Sequence, residues 1–290
     1  MTIAAFFADV SRDWFLLPRR LTTNPNRAGL RLPALRGPFS LAVAGETWVY
    51  VSYLKQKRGQ LILACFLMTS LLLLQFPGID LQISRVFFHN GFALKREWWG
   101  AWLHESVTYF LWLSMVSVAA IYGVNRVFRR NLCGVDGKKV CYLFLVLILG
   151  AGLIVNVVLK DTFGRARPRD VEEFGGAKHF TPAFVLSREC ATNCSFSSGD
   201  GAGAFFSLAL AMALRRKRAM FVAGVGLGSL VSFSRVASGA HFFSDTVVSF
   251  FVMLIVADVL HHYMFLPERE LAEAPVPGNL SGSAALVEPD

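Results

Sequence analysis

Three polar clusters interrupt an otherwise oily sequence between positions 160 and 245. The first reads Lys160-Asp-Thr-Phe-Gly-Arg165-Ala-Arg167-Pro168 and the second Phe196-Ser-Ser198-Gly199-Asp200; the third is Ser234-Arg235, five residues, His241, three residues, Asp245. Lys160, Arg167 and Arg235 are standing positive charges. An Arg can clamp two oxygens of one phosphate, whereas a Lys acts as a point charge. Ser198 and Gly199 open an apolar run with the makings of a helix, whose free backbone N–H groups and dipole favour an anion at that end. His241 and Asp245 are four apart and share a helix face. A carboxylate bonded to one imidazole nitrogen would fix the tautomer and leave the other nitrogen free to attack phosphorus. Phosphoryl transfer needs this combination, concentrated positive charge around the nonbridging oxygens and a nucleophile in line with the leaving group.

The elements that must position these groups are membrane spans. A chain of 290 residues with 54% hydrophobic residues is too apolar for an ordinary soluble domain and reads as an integral membrane protein. Apolar runs at 61–76, 108–124, 140–159, 199–214, 219–233 and 244–266 predict an all-α bundle of six transmembrane helices. Each polar cluster sits at the end of one of them. The net charge of +9 lies mostly in short stretches between the runs, which favours an orientation signal over nucleic-acid binding. The basic loops around Arg126–Lys139 and Arg215–Arg218 share a side with the Arg-rich N-terminal segment. The positive-inside rule makes that side, and both termini, cytoplasmic. All three clusters then meet at the opposite face. Residues 1–59 read as a cytoplasmic or interfacial segment, 60–266 as the membrane domain and 267–290 as a disordered tail. Positions 1–15 lack a continuous apolar core, so the first span is expected to do the targeting.

The spacing Lys, six residues, Arg-Pro, then Ser-Gly, then Ser-Arg, five residues, His, three residues, Asp resembles the signature of the type 2 phosphatidic acid phosphatase superfamily. The resemblance implies that His241 is a nucleophile forming a phospho-histidine, that Asp245 orients it, that Lys160, Arg167 and Arg235 bind phosphate, and that no metal or other cofactor takes part. The segments Glu173-Phe-Gly-Gly176 to Phe180-Thr-Pro182 and Cys194-Ser-Phe196 look like those of bacterial lipid A phosphatases. That narrower likeness implies a multi-pass protein of a bacterial inner membrane with its site facing the periplasm. The implied substrate is a lipid phosphate, lipid A with the 4′-phosphate favoured over the 1-phosphate, and membrane lipids are the implied surroundings. Phosphatidic acid, phosphatidylglycerophosphate and undecaprenyl pyrophosphate are the alternative substrates, and a non-catalytic transporter or scaffold of the same fold is the alternative of another class.

One position departs from the pattern. The family usually carries His where this chain has Asp200, and that His protonates the leaving oxygen. Three readings stay open, with the first favoured and Asp200 counted with His241 and Asp245 as catalytic: Asp200 is the acid, another residue such as His179 has taken the role, or the leaving group needs little protonation. Asp170, Glu172, Glu173 and His179 lack an established metal-ligand spacing and read as a solvated loop. Cys190 and Cys194 fall on the loop assigned to the outside, where they could bridge and brace the approach to Ser198. Cys65, Cys133 and Cys141 are expected to be reduced.

Overall fold

The computed structural model describes residues 57–92, 98–214 and 218–265. The expected N-terminal segment lies outside the described residues except for its last three positions, and the C-terminal tail lies wholly outside them. The fold is all-helical. Helix α1 runs Lys57–Gln75, α2 Gly78–Val86 and α3 Trp98–Val127. Helix α4, Gly137–Val146, widens into a π-helical stretch at Leu147–Leu159 that leads into a last turn, α5, at Lys160–Phe163. After the long loop come α6, Gly199–Ala213, α7, Arg218–Ala237, and α8, Phe243–Phe265. The helix ends follow from sequence. Asp136 caps α4 by accepting from Lys139 N at 2.8 Å, and Ser198 caps α6 by accepting from Gly201 N at 3.2 Å.

Among the described residues five helical segments are long and apolar enough to cross a membrane, and α6 is a shorter apolar helix. Five of the six expected spans are thus helices long enough to cross, and the run expected as the fourth forms the shorter α6. The 15 residues of α6 reach about 22 Å at 1.5 Å per residue, short of a hydrocarbon core about 30 Å thick. Its burial explains why a short helix suffices. Ala202, Phe206, Leu208 and Ala209 are enclosed by neighbouring helices, chiefly α7 and α8, so α6 is the axis of the bundle and need not match the lipid. The outer helices show the opposite pattern. Met68, Leu71, Tyr109, Trp112, Leu113, Ile148, Val222 and Leu230 are all exposed, an apolar belt suited to lipid. The stretch 77–105, between the first two apolar runs, holds α2 and the start of α3.

Polar groups separate to the two ends of the bundle. At one end Arg58 of α1 and Asp258 of α8 form an ion pair, and Tyr142 of α4 donates to Ala257 O at 3.0 Å. At the other end stand the C-terminal ends of α5 and α7 and the N-terminal ends of α3, α6 and α8, and all three sequence clusters meet there. Close contact between α3 and α6 sets their register. A Cβ on Gly203 would lie 2.7 Å from Val107 Cγ1, and Val107, Leu111, Ala204 and Val231 pack into one small cluster.

Candidate active site

His241 lies in the short connection between α7 and α8 and is buried. Gly239 makes that turn with φ +67°, and a Cβ there would meet the Phe92 ring at 2.4 Å, so both conformation and space demand glycine. Ala240 N and His241 N donate to Arg235 O at 3.0 and 3.3 Å, and Arg169 N donates to Gly239 O at 3.1 Å. The first and third clusters are thereby tied through backbone.

The nearest partner of the imidazole is a carbonyl: His241 Nδ1 is 2.7 Å from Ser195 O. A carbonyl oxygen only accepts, so Nδ1 carries the proton and Nε2 presents its lone pair. Asp245 Oδ2 is 3.7 Å from Nδ1, beyond hydrogen-bond reach. The hydrogen bond of Nδ1 thus goes to Ser195 O, and the Asp245 carboxylate stands beside the same nitrogen at slightly longer range. Its carboxylate is engaged elsewhere. Oδ2 accepts from Ser195 Oγ at 2.5 Å and from Phe242 N at 2.8 Å, the latter being the reach of a third helical residue back to the cap of α8. Oδ1 accepts from Arg165 Nη1 at 2.6 Å. Burial pushes His241 below the ordinary histidine value, the Asp245 carboxylate opposes this, and the charges of Arg235 and Arg167 reinforce it. The neutral, nucleophilic form is the favoured one.

Arg165 and Asp80 form a layer behind the site that spacing did not reveal. Arg165 is 1% exposed and every arm of its guanidinium is used. Nε donates to Thr181 O at 2.7 Å, Nη1 to Ser244 Oγ at 2.8 Å and to Asp245, and Nη2 to Asp80 Oδ2 at 2.8 Å. The Phe242 ring lies 4.2 Å from its Cζ, close enough for a cation–π contact. Asp80, from α2, also accepts from Ser244 N at 2.8 Å and Ser244 Oγ at 2.5 Å. Two carboxylates against one guanidinium leave the buried cluster one net negative charge beside His241. A net negative charge at this place favours positive charge on the imidazole ring.

The predicted phosphate ligands surround the start of α6. Lys160 Nζ is 3.4 Å from Asn193 Oδ1, and Arg167 Nη2 donates to Asn193 O at 2.8 Å. A Cβ on Gly199 would approach Lys160 Nζ to 3.1 Å, so the bare glycine leaves the ammonium room above the helix end. Arg235 Nε is 2.8 Å from Asp200 Oδ2, an ion pair without hydrogen-bond alignment. The three cations are near enough for their charges to act on one another. Ser198 is fastened to α8, its N donating to Asp245 O at 3.4 Å and its O accepting from Ser249 Oγ at 2.8 Å. Lys160, Arg167, Ser198, Gly199, Asp200, Arg235, His241 and Asp245 thus share one end of the bundle.

Other candidates fall elsewhere. His179 Nδ1 is 3.4 Å from Glu172 Oε2 with 71% of its side chain exposed, part of a solvated loop with Glu173. Among the described residues no group of three or more His, Cys, Asp or Glu is placed to hold a metal ion. Cys190 and Cys194 are bonded to each other, with Cα atoms 5.5 Å apart, and close the turn that presents Asn193 to Arg167 and Lys160. Cys65, Cys133 and Cys141 are free. One neighbour of Asp200 escaped sequence reasoning altogether: His104 of α3, whose Nδ1 is 3.1 Å from Asp200 Oδ2. The only hint in the sequence was an imidazole near the start of a Trp-rich span.

Comparison with known proteins agrees with this geometry. Residues 140–269 match the family model described as the PAP2 superfamily. A lipid A 4'-phosphatase of Francisella tularensis subsp. novicida is 32% identical over 197 residues, which cover 66% of this chain and 88% of that protein. A lipid A 4'-phosphatase of Rhizobium etli is 38% identical over 200 residues, covering 62% of this chain and 77% of the relative, and one of Rhizobium leguminosarum is 30% identical over 198 residues, covering 62% and 85%. No solved structure matches. With its three clusters gathered at one end of an apolar helical bundle, the chain belongs to the PAP2 superfamily.

Proposed function

We propose that this membrane phosphatase, a phosphoric monoester hydrolase, removes the 4′-phosphate of lipid A at the periplasmic face of a bacterial inner membrane, through a phospho-histidine on His241. The observation that carries the reading is the hydrogen bond from His241 Nδ1 to Ser195 O at 2.7 Å. It holds Nε2 deprotonated at the end of the bundle where Lys160, Arg167 and Arg235 converge. Those cations and the N-terminal N–H groups of α6, offered by Ser198 and Gly199, bind the nonbridging oxygens and neutralise the charge that gathers on them. Nε2 attacks phosphorus, the sugar oxygen leaves, and Asp245 balances the positive ring. Asp200 belongs to the corner that supplies the leaving oxygen with a proton. Water then cleaves the N–P bond and restores the imidazole.

The apolar belt and the site's place at a bundle end suit a substrate held in the bilayer with its phosphate at the surface. The names of the three relatives support lipid A and its 4′ position. The distribution of basic loops supports the periplasmic face, with 60–266 as the catalytic unit and both termini cytoplasmic. Mass spectrometry of lipid A from cells with and without the gene tests the substrate. Loss of one phosphate from the 4′ position, dependent on His241, is expected. Unchanged lipid A, with phosphate instead released from phosphatidic acid, phosphatidylglycerophosphate or undecaprenyl pyrophosphate by the purified protein, would overturn it.

A further inference from the structure

The structure assigns the leaving-group proton to His104, with Asp200 as its positioning residue. The inference rests on His241 being the nucleophile and adds the other half of the reaction. Three observations on three helices carry it. His104 Nδ1 is 3.1 Å from Asp200 Oδ2, and the imidazole is 52% exposed, so it faces an open space. The same Asp200 Oδ2 is 2.8 Å from Arg235 Nε, and Arg235 O accepts from His241 N at 3.3 Å. A short chain of contacts therefore runs from His104 through Asp200 and Arg235 to the nucleophile's turn. The register is built in. His104 and Val107 are one turn apart on α3, Asp200 and Gly203 one turn apart on α6, and the close approach of Val107 to Gly203, 2.7 Å to a notional Cβ, brings the two pairs level.

The Asp200 carboxylate is already engaged on both sides through Oδ2, 2.8 Å from Arg235 Nε and 3.1 Å from His104 Nδ1, which suits it to hold a donor in place. An imidazolium beside that aspartate is well suited to donate: Nδ1–H donates to Asp200, and Nε2–H is left for the leaving oxygen. Chain position 200 thus holds the partner of the acid, and the acid itself comes from another helix. The step balances. The Nε2 lone pair of His241 forms the N–P bond, the P–O bond breaks with its electron pair going to the leaving oxygen, and the His104 Nε2 proton moves to that oxygen, leaving His104 neutral. In the second half His104 takes a proton from water as its oxygen bonds to phosphorus, and the N–P electron pair returns to His241.

The test uses purified full-length protein in detergent with two probes, phosphatidic acid, whose alkoxide needs a proton, and 4-nitrophenyl phosphate, whose phenolate leaves without one. His104→Gln is expected to slow phosphatidic acid cleavage by roughly 10²–10⁴-fold, the span of general acid catalysis, and the nitrophenyl ester far less. Retained nitrophenyl activity also shows that the variant is folded. Asp200→Asn should show the same split to a lesser degree, and His104→Gln with Asp200→Asn should lose no more than His104→Gln alone, as residues acting as a unit do. Adding Asp200→His to His104→Gln returns an imidazole from α6 and should recover part of the phosphatidic acid activity. Equal slowing of both probes by His104→Gln, or no slowing of either, overturns the assignment while leaving His241 in place. Full activity of His241→Ala would instead overturn the nucleophile reading beneath it.

Discussion

Replacing Arg165 tests whether the buried charge layer holds the turn that carries His241. Arg165→Met keeps much of the side-chain volume and removes the charge. It would leave Asp80, 3% exposed, and Asp245, 0% exposed, facing one another's charge without a cation. It also removes the donors to Thr181 O, Ser244 Oγ, Asp245 Oδ1 and Asp80 Oδ2. Breaking a buried pair by deleting one partner costs about 3–5 kcal/mol. At about 2–4 °C per kcal/mol for a domain of comparable size, the midpoint of thermal unfolding should fall by on the order of 10 °C. Turnover should fall as well, because the carboxylate that Arg165 holds also fixes Phe242 N and Ser195 Oγ on either side of His241. Adding Asp80→Asn to Arg165→Met removes one stranded charge and should recover part of the loss, so the two substitutions should not add. The assay is thermal unfolding of purified protein in one detergent, paired with phosphate release. An Arg165→Met midpoint within a degree or two of wild type, or strict additivity with Asp80→Asn, would refute the reasoning.

Two further outcomes follow from the same geometry. In the proposed mechanism His241 attacks as the neutral ring, and burial holds its pKa below the ordinary histidine value, so the acid limb of kcat/KM should lie below about pH 6.5. Asp245→Asn removes a group that raises that pKa, so the limb should move to still lower pH while the maximal rate falls; a limb moving upward would contradict this. In thiol labelling of the native protein, the exposed Cys133 and Cys141 should react at once and Cys190 and Cys194 only after reduction. Reduction should weaken substrate binding modestly, since the turn it releases carries the Asn193 partner of Arg167; labelling of all four without reductant would remove the bridge.

What could be read from the sequence was whatever its chemistry confines to one short stretch. The apolar runs located the spanning helices within a few residues, because the period and length of a span are local properties, except that α3 starts at Trp98, ten positions before its run. Lys160, Arg167, Arg235 and His241 stood out since ionisable groups at the ends of oily helices are costly unless used. The layer behind them was hidden because its partners are remote: Arg165 and Asp80 are 85 positions apart, and Ser244 and Asp80 are 164 apart. Asp80 stands alone in the sequence a few positions after the first apolar run, and no spacing joins it to His241. The His241 contact with Ser195 was illegible for another reason, since its acceptor is a backbone oxygen that any residue type supplies. His104 was missed because it reaches Asp200 only through the packing of α3 on Gly203. The shortness of α6 was not legible, because its apolar run at 199–214 is no shorter than those at 61–76 and 219–233, and its central place is a property of the whole bundle.

A covalent phosphate on His241 Nε2 would be the most direct evidence for this chemistry. Purified protein mixed with a radiolabelled phosphate monoester lipid, quenched in alkali within milliseconds and digested, should yield label on the peptide containing His241. The bond should survive alkali and be lost in mild acid, as phosphoramidates are, and His241→Ala should carry none. Label that resists acid, that maps to Ser198 or that persists in His241→Ala would contradict a histidine nucleophile.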